Sequence, residues 1–349
     1  MGNSSIVYSH LDHQIEKLLA QGLIINNVDF AKEELQLYGY SNLIKSYREP
    51  YTYIKDGQKV YRSGVTFEQI WSLYILDKNL RNAVMAAMLD LEEFVKESAA
   101  DVIAASFGTH PDEYLNYRNY LNIKKHKERF SLAGILDRLK NTLDTNKDPI
   151  FHYSQKYSCV PPWILFKSIY FSTIINFINM FKPREKQSMV SKLYDVNHWK
   201  IDSNAFPHFM MDTLFICLEY RNLAAHGGRI YNHICDYKSH NSISETLNLH
   251  GFSQLLFLLQ SLNYQAPYQY LDDALNTQLN RHCRRFPSDI TYLGQVLNID
   301  ITPVENVWIT EKSNTYHTDP HCSGMKNPIE IELSKAEAHG LKPCKRCCK

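Results

Sequence analysis

The chain has 349 residues, of which 38 are basic and 37 acidic, and 44% are hydrophobic, including 23 Tyr and 16 Phe. This composition excludes a disordered chain and a polycation, so any contact with nucleic acid must come from local clusters of basic residues. No apolar run approaches the ~20 residues that a membrane span needs, and residues 1 to 5 carry no signal-peptide pattern. We therefore expect a cytoplasmic protein with no membrane contact, long enough for two domains.

The first third of the chain predicts helices and one loop. Residues 7 to 47 have the periodicity of two short amphipathic helices around the turn Gln21-Gly22, and residues 49 to 64 predict a loop or hairpin. Thr66, with Gln69 three residues later, predicts the capped start of a long helix that continues to about residue 105. Within it, the spacing of Asp77 and Arg81 is typical of a solvated face.

The middle of the chain is also helical in pattern. Residues 131 to 144 predict a helix, and the apolar stretch 163 to 181 after Pro161-Pro162 predicts a long helix in the core. Phe206 and Pro207 begin another helix, and residues 253 to 262 predict one that closes a bundle. The basic run 124 to 129 lies near three tyrosines, a combination that can bind phosphates and stack bases, although such a run is also typical of a solvated helix face. The tyrosines are Tyr114, Tyr117 and Tyr120.

The most informative stretch follows the apolar run 211 to 218 and reads Arg221-Asn222-Leu223-Ala224-Ala225-His226-Gly227-Gly228. The glycine pair predicts a helix end, where free carbonyls and the negative end of the helix dipole favour a protonated imidazole. Asn222 and His226 lie on one helix face, and the long side chain of Arg221 can reach toward it. An imidazole, a guanidinium and a carboxamide could act on a phosphodiester. Alternatively, Arg221 and His226 only cap the helix.

The pattern Arg-Asn-x-x-x-His resembles the signature of HEPN domains, the all-α modules of many toxin and antiviral ribonucleases. The longer string with Arg229 and Asn232 is similar to the abortive-infection (Abi) family of bacterial phage-defence proteins, of the AbiD/AbiF type. Further matches are Gln14-x-x-Lys17-Leu18 with Gly22-Leu23-Ile24-Ile25, Tyr38-x-Tyr40-Ser41-Asn42-Leu43, and Pro161-Pro162-Trp163. The resemblance covers roughly residues 8 to 300.

This resemblance implies a metal-independent endoribonuclease in which a ribose 2′-OH attacks the adjacent phosphate. His226 would transfer the proton, Arg221 would stabilise charge on the phosphorane, and Asn222 would orient His226. It also implies a homodimer with two motifs face to face, a bound regulatory antitoxin RNA as a partner, and an acidic brace for the motif arginine on an early helix. Glu92 is our candidate for that brace, with an exposed surface carboxylate as the alternative.

The composition changes near the C-terminal end of the chain, where four of the eight cysteines fall within the final 28 residues. Residues 307 to 310 alternate like a strand, and Ser334 can cap a short helix over 335 to 338. In a reducing compartment, a Cys-x-x-Cys pair with a His/Cys pair upstream predicts a closed structural Zn²⁺ site. The expected ligands are Cys322, Cys344 and Cys347, with His317 or, as the alternative, His321.

The string around these ligands resembles a small bacterial zinc knuckle, distantly like the metal-binding module of the Ada DNA-repair protein. We therefore predict a mainly α fold: an Abi-family HEPN-type helical bundle over residues 1–300, followed by a small α+β zinc-binding knuckle over 301–349. The function expected is an anti-phage endoribonuclease toxin. The alternatives are a non-catalytic RNA-binding or scaffold HEPN protein whose knuckle holds a partner, and a zinc-dependent DNA-binding regulator.

Overall fold

The computed structural model describes residues 8–124, 127–195, 205–236 and 249–348. Its N-terminal segment forms two helices and a hairpin: α1 Leu11–Ala20, α2 Val28–Tyr38, β1 Thr52–Lys55 and β2 Gln58–Tyr61. The turn at Gln21 and Gly22 follows α1, and the two strands pair in antiparallel register. Both sequence predictions for this segment are confirmed.

The helix α3, Phe67–Phe107, is the axis on which the other helices pack. Its 41 residues span about 60 Å at 1.5 Å per residue. Thr66 caps it, because its hydroxyl oxygen accepts a hydrogen bond of 3.1 Å from the backbone N–H of Gln69, as the sequence predicted. The helices that follow are α4 Pro111–Tyr114, α5 Leu132–Leu143, α6 Ile150–Tyr157, α7 Pro162–Leu165, α8 Phe171–Asn179, α9 Pro183–Leu193, α10 Phe206–Ala225, α11 Gly251–Gln260, α12 Ala266–Arg285 and α13 Ile290–Leu297.

The helices around α3 share one apolar core that extends from Ile15 to Leu297. The neighbours with the most extensive packing on α3 are α12, α10 and α9. Most of the apolar stretch after Pro162 is buried in this core, as predicted, although Trp163 and Tyr170 are exposed. The stretch is not one helix. A 3₁₀ turn at Phe166–Ser168 and extended backbone at Ile169 and Tyr170 separate α7 from α8.

The C-terminal region is a small α+β structure with its own apolar cluster of Val307, Tyr316 and Ala336. Its elements are β3 Asn306–Ile309, β4 Thr315–Tyr316, β5 Ile329–Glu332, α14 Leu333–Ala338 and β6 Lys342–Pro343. β3 pairs antiparallel with β5, and β4 pairs parallel with β6. The prediction that Ser334 caps the helix is wrong, because α14 begins at Leu333, two residues earlier than expected, and Glu332 occupies the cap position.

The described residues are thus mainly helical, with a small sheet region near the C-terminus, and this part of the predicted fold class is confirmed. The division of the chain at residue 300 stays a prediction. Among the described helices, none is both long enough and apolar enough to cross a membrane.

Candidate functional site

The end of α10 is a sharp turn built by the glycine pair. Gly227 has a φ of +70° and donates from its N–H to the carbonyl of Ala224 at 3.1 Å, while Gly228 donates to the carbonyl of Leu223 at 2.9 Å. These two bonds form a Schellman motif that satisfies carbonyls at the helix end. A Cβ on Gly228 would lie 2.2 Å from Cδ1 of Leu223, so a larger residue there would force the Leu223 side chain to move. His226 is the capping residue of α10.

The three side chains of the motif differ in exposure. Asn222 and His226 are exposed and lie one helical turn apart, and the N–H of His226 donates to the carbonyl of Asn222 at 3.1 Å. Arg221 is half-buried, and its Nε is buried with no hydrogen-bond partner among the described residues. The arrangement presents an imidazole and a carboxamide to solvent on one face of the helix end. The orienting role of Asn222 stays a prediction, because the hydrogen bonds found between the described parts of the chain do not join its side chain to the imidazole.

The segment just after this turn is held by a buried carboxylate on α3. Asp77 is fully buried, and its Oδ1 accepts hydrogen bonds from the backbone N–H groups of Ile230 at 2.9 Å and Tyr231 at 2.8 Å. Its Oδ2 accepts from the hydroxyl of Tyr47 and from Nη1 of Arg81 at 2.7 Å. The interpretation of Asp77 and Arg81 as a solvated face is therefore wrong, since their ion pair lies inside the protein.

Burial raises the pKa of the Asp77 carboxyl, whereas the Tyr47 hydroxyl, the Arg81 guanidinium and the two backbone amides oppose that rise. Burial likewise raises the pKa of the Tyr47 hydroxyl, so this group remains a donor. On the other side of the segment, Nη1 of Arg229 donates to the carbonyl of Ser46 at 2.6 Å. The chain that leaves the motif is thus attached both to α3 and to the segment that follows α2.

The buried position of Asp77 has a signal in the sequence. Asp77 is four residues after Leu73 and three before Leu80, and both leucines are fully buried. Residues at these spacings share a helix face, so Asp77 lies on the apolar stripe of α3. A carboxylate on such a stripe needs buried donors, and it is therefore a candidate for a structural or functional contact.

Glu92, our candidate for the acidic brace, forms an ion pair with Lys96 at 2.7 Å. It lies 15 residues from Asp77 on the same helix, or about 22 Å along the axis. In the described parts of the chain, no hydrogen bond or ion pair connects Glu92 with Arg221. The α3 carboxylate that contacts the chain beside the motif is Asp77.

The tyrosines near the basic run do not form a stacking surface together. Tyr114 and Tyr120 are buried, and their hydroxyls donate to the carbonyls of Val160 and Tyr114. Tyr117 is 46% exposed. Lys125 and His126, in the centre of the basic run, lie outside the described residues.

A second site lies in the C-terminal region, where four potential ligands converge. The ligand atoms of His317, Cys322, Cys344 and Cys347 all lie within 4.8 Å of one another. Sγ of Cys322 is 3.9 Å from Sγ of Cys344, and Sγ of Cys347 is 3.5 Å from Nδ1 of His317. Tetrahedral zinc with Zn–S bonds of about 2.3 Å separates its sulfur ligands by about 3.8 Å. The donor set and the distances therefore fit a zinc ion.

The small sheets bring these ligands together. The backbone of His317 exchanges two hydrogen bonds with that of Trp308, and the N–H of Cys344 donates to the carbonyl of Tyr316 at 2.9 Å. Nε2 of His317 lies 3.3 Å from Oγ1 of Thr315, which leaves Nδ1 facing the cysteines. His321 is exposed and is not a member of the group, so His317 completes the set of four.

One of the thiols is prepared for metal binding. Burial alone would favour its neutral form, but backbone hydrogen bonds from Thr318 and Asp319 and a side-chain bond from Cys322 lower the pKa of Cys347 to about 6. The pKa of Cys322 is instead raised: its hydrogen bond with Ser323 lowers it, but burial and the neighbouring Cys347 and Cys344 outweigh that effect. A thiolate at Cys347 near neutral pH is the form that binds a metal ion.

The described residues therefore define a mainly helical protein with a C-terminal His/Cys cluster that could hold a metal ion. The family model of Abi-like proteins matches residues 33–232, which is more than half of the chain and includes the motif at the end of α10. The chain belongs to this Abi-like family, and this membership suggests abortive infection as its role. No curated protein matches the chain, and no solved structure does.

Proposed function

We propose that this protein is a metal-independent endoribonuclease of the HEPN type that acts as a toxin in anti-phage abortive infection. The observation that carries the proposal is the end of α10, where Asn222 and His226 are exposed above a rigid glycine turn. The buried carboxylate of Asp77 holds the chain after the turn, and this attachment limits how far the motif can move. An imidazole at an anchored helix end, with a guanidinium five residues earlier in the chain, is suited to phosphodiester chemistry.

In the proposed reaction, the ribose 2′-oxygen forms a bond to phosphorus and the bond from phosphorus to the 5′-oxygen breaks. A base removes the proton of the 2′-OH, and an acid protonates the leaving 5′-oxygen, so the products are a cyclic phosphate and a 5′-OH. His226 performs a proton transfer, a role for which an imidazole is suited because it can both accept and donate a proton. The planar guanidinium of Arg221 stabilises the charge that develops on the phosphorane, and Asn222 orients His226.

A single motif supplies one imidazole, whereas the acid and base roles require two. We therefore propose a symmetric homodimer in which the two α10 ends face each other across the interface. The exposure of Asn222 and His226 in the single chain supports this arrangement, because both side chains are accessible to a second copy.

RNA is the proposed substrate, and a small antitoxin RNA is the proposed regulator. A groove of about 440 Å³ between the end of α12 and the C-terminal region supports an RNA contact. Three arginines and a tryptophan line it: Arg281, Arg284, Arg285 and Trp308. Guanidinium groups bind phosphates, and an indole ring stacks on bases. Zn²⁺ in the C-terminal cluster would have a structural role, because such a small module cannot fold on its apolar area alone.

The test is expression of the wild-type chain and of His226→Ala in bacteria, followed by purification and incubation with RNA. Removal of the proton-transfer group should lower the cleavage rate by roughly 100-fold or more and should relieve growth arrest. His208→Ala is a matched control, because His208 is exposed on the first turn of the same helix. It should leave cleavage unchanged.

If His226→Ala is as toxic as the wild type, or if the wild-type chain binds RNA without cutting it, the protein is a non-catalytic RNA-binding or scaffold protein. Products with a 5′-phosphate would contradict the proposed attack by the 2′-OH.

A further inference from the structure

A second group of potential metal ligands lies on the side of α10 below the motif. It consists of Glu219 on the helix and of His233 and Cys235 in the segment that follows the motif turn. One ligand atom from each residue lies within 4.8 Å of the others, and all three residues are half-buried. The sequence predicted metal ligands only in the C-terminal region, far along the chain from these three residues.

The three side chains meet at the carboxylate of Glu219. Oε1 of Glu219 lies 2.8 Å from Nε2 of His233, and the thiol of Cys235 forms a side-chain hydrogen bond with the same carboxylate. The N–H of Asp236 donates to Oε1 at 2.9 Å, so the backbone is attached there as well. An imidazole nitrogen, a sulfur and a carboxylate oxygen therefore point at one small volume.

The position of this group is set by its surroundings. The ring of Tyr220 packs edge-on against the ring of His233, with centroids 5.1 Å apart, and its hydroxyl donates to the backbone carbonyl of His233. Tyr220 is fully buried, so the imidazole rests on a fixed surface. Pre-placed ligands lower the cost of ordering a metal site.

Hydrogen bonds without a metal also satisfy these three groups. Whether they form a metal site therefore depends on which donor atoms they offer. Tetrahedral zinc needs ligand atoms about 3.3 to 3.8 Å apart, and the three atoms reach that spacing with shifts of about an ångström. Imidazole, thiolate and carboxylate are together the three ligand types that zinc uses, and three protein ligands leave one position open for water.

We propose that Glu219, His233 and Cys235 bind a second divalent ion of the zinc type. On binding, the Cys235 thiol releases its proton to solvent, and His233 coordinates through Nε2 while Nδ1 keeps its proton. The ion holds residues 233 to 236 against α10. Glu219 lies seven residues before His226, hence on the same helix face and about 10 Å below it, so the ion braces the segment next to the motif. This inference does not depend on RNA cleavage.

The experiment is metal counting on the full-length chain. Metal-depleted protein is equilibrated with excess Zn²⁺ and freed of unbound ion. The number of zinc ions bound per chain is then measured by elemental mass spectrometry. The wild-type chain should hold two ions, one in the C-terminal cluster and one at the new site. Cys235→Ser and, independently, Glu219→Gln should each hold one.

Cys159→Ser is the matched control, because it removes a half-exposed thiol that belongs to neither group, and it should keep two ions. Circular dichroism of each variant checks that the helices are intact. If Cys235→Ser fails to fold, Glu219→Gln still tests the site, because Gln has nearly the same size as Glu. In Co²⁺-loaded protein, the visible absorption of the second ion should also disappear in both variants. One ion per saturated wild-type chain, or two ions that persist in folded Glu219→Gln, would overturn the proposal.

Discussion

Replacement of Asp77 by Asn tests the link between α3 and the motif. The carboxylate is fully buried and accepts hydrogen bonds from four groups: the backbone N–H of Ile230, the backbone N–H of Tyr231, the hydroxyl of Tyr47 and the guanidinium of Arg81. An asparagine oxygen can still accept from the two amides. Its NH₂ group would then face the Tyr47 hydroxyl and the Arg81 guanidinium, where the native structure needs an acceptor.

The expected cost follows from these contacts. The Arg81 side chain is only 12% exposed, so Asp77→Asn leaves a largely buried cation without its counter-charge. Removal of one partner of a buried ion pair costs about 3 to 5 kcal/mol. We expect the lower end, about 3 kcal/mol, because the amides of Ile230 and Tyr231 keep an acceptor. The same change should weaken RNA cleavage by loosening the segment behind His226.

The measurement is urea unfolding monitored by circular dichroism, with Asp90→Asn as the control. Asp90 is an exposed carboxylate on the same helix, so its replacement should change the free energy of unfolding by no more than about 0.5 kcal/mol. If Asp77→Asn lowers stability by less than about 1 kcal/mol, the buried ion pair does not hold the motif segment in the way that we describe.

Three further predictions concern the turn, the C-terminal cluster and the assembly. Gly228→Ala should lower the free energy of unfolding by about 1 to 3 kcal/mol, because the new Cβ would lie 2.2 Å from Cδ1 of Leu223; an unchanged urea midpoint would show that the turn can rearrange freely. Cys344→Ser should release metal from the C-terminal cluster and unfold residues 304 to 348, while RNA cleavage remains; loss of cleavage in a bundle that stays folded and dimeric would mean that this metal is coupled to the motif. Sedimentation should give a homodimer, and a monomer that still cleaves RNA would remove the argument for a composite site.

The sequence by itself determined the features that depend on residues close to one another in the chain. The sequence predicts the cap at Thr66 and Gln69 and the glycine turn after His226, because a helix end is decided by the φ preferences and hydrogen bonds of adjacent residues. The four members of the C-terminal cluster were also predicted from spacing, with His317 preferred and His321 as the alternative. The parallel pairing of β4 with β6 places His317 beside Cys344 and leaves His321 exposed.

The tertiary structure alone decided which distant side chains meet. Asp77 contacts Ile230 across 153 positions of sequence, and no periodicity within α3 indicates which backbone amides will face a carboxylate on its apolar stripe. The meeting of Glu219 with His233 and Cys235 depends in the same way on the turn at Gly227, which returns the chain along the helix that it has just left. Local preferences determine where an element begins and ends, whereas the packing of faces against a common core determines which polar groups share a buried volume.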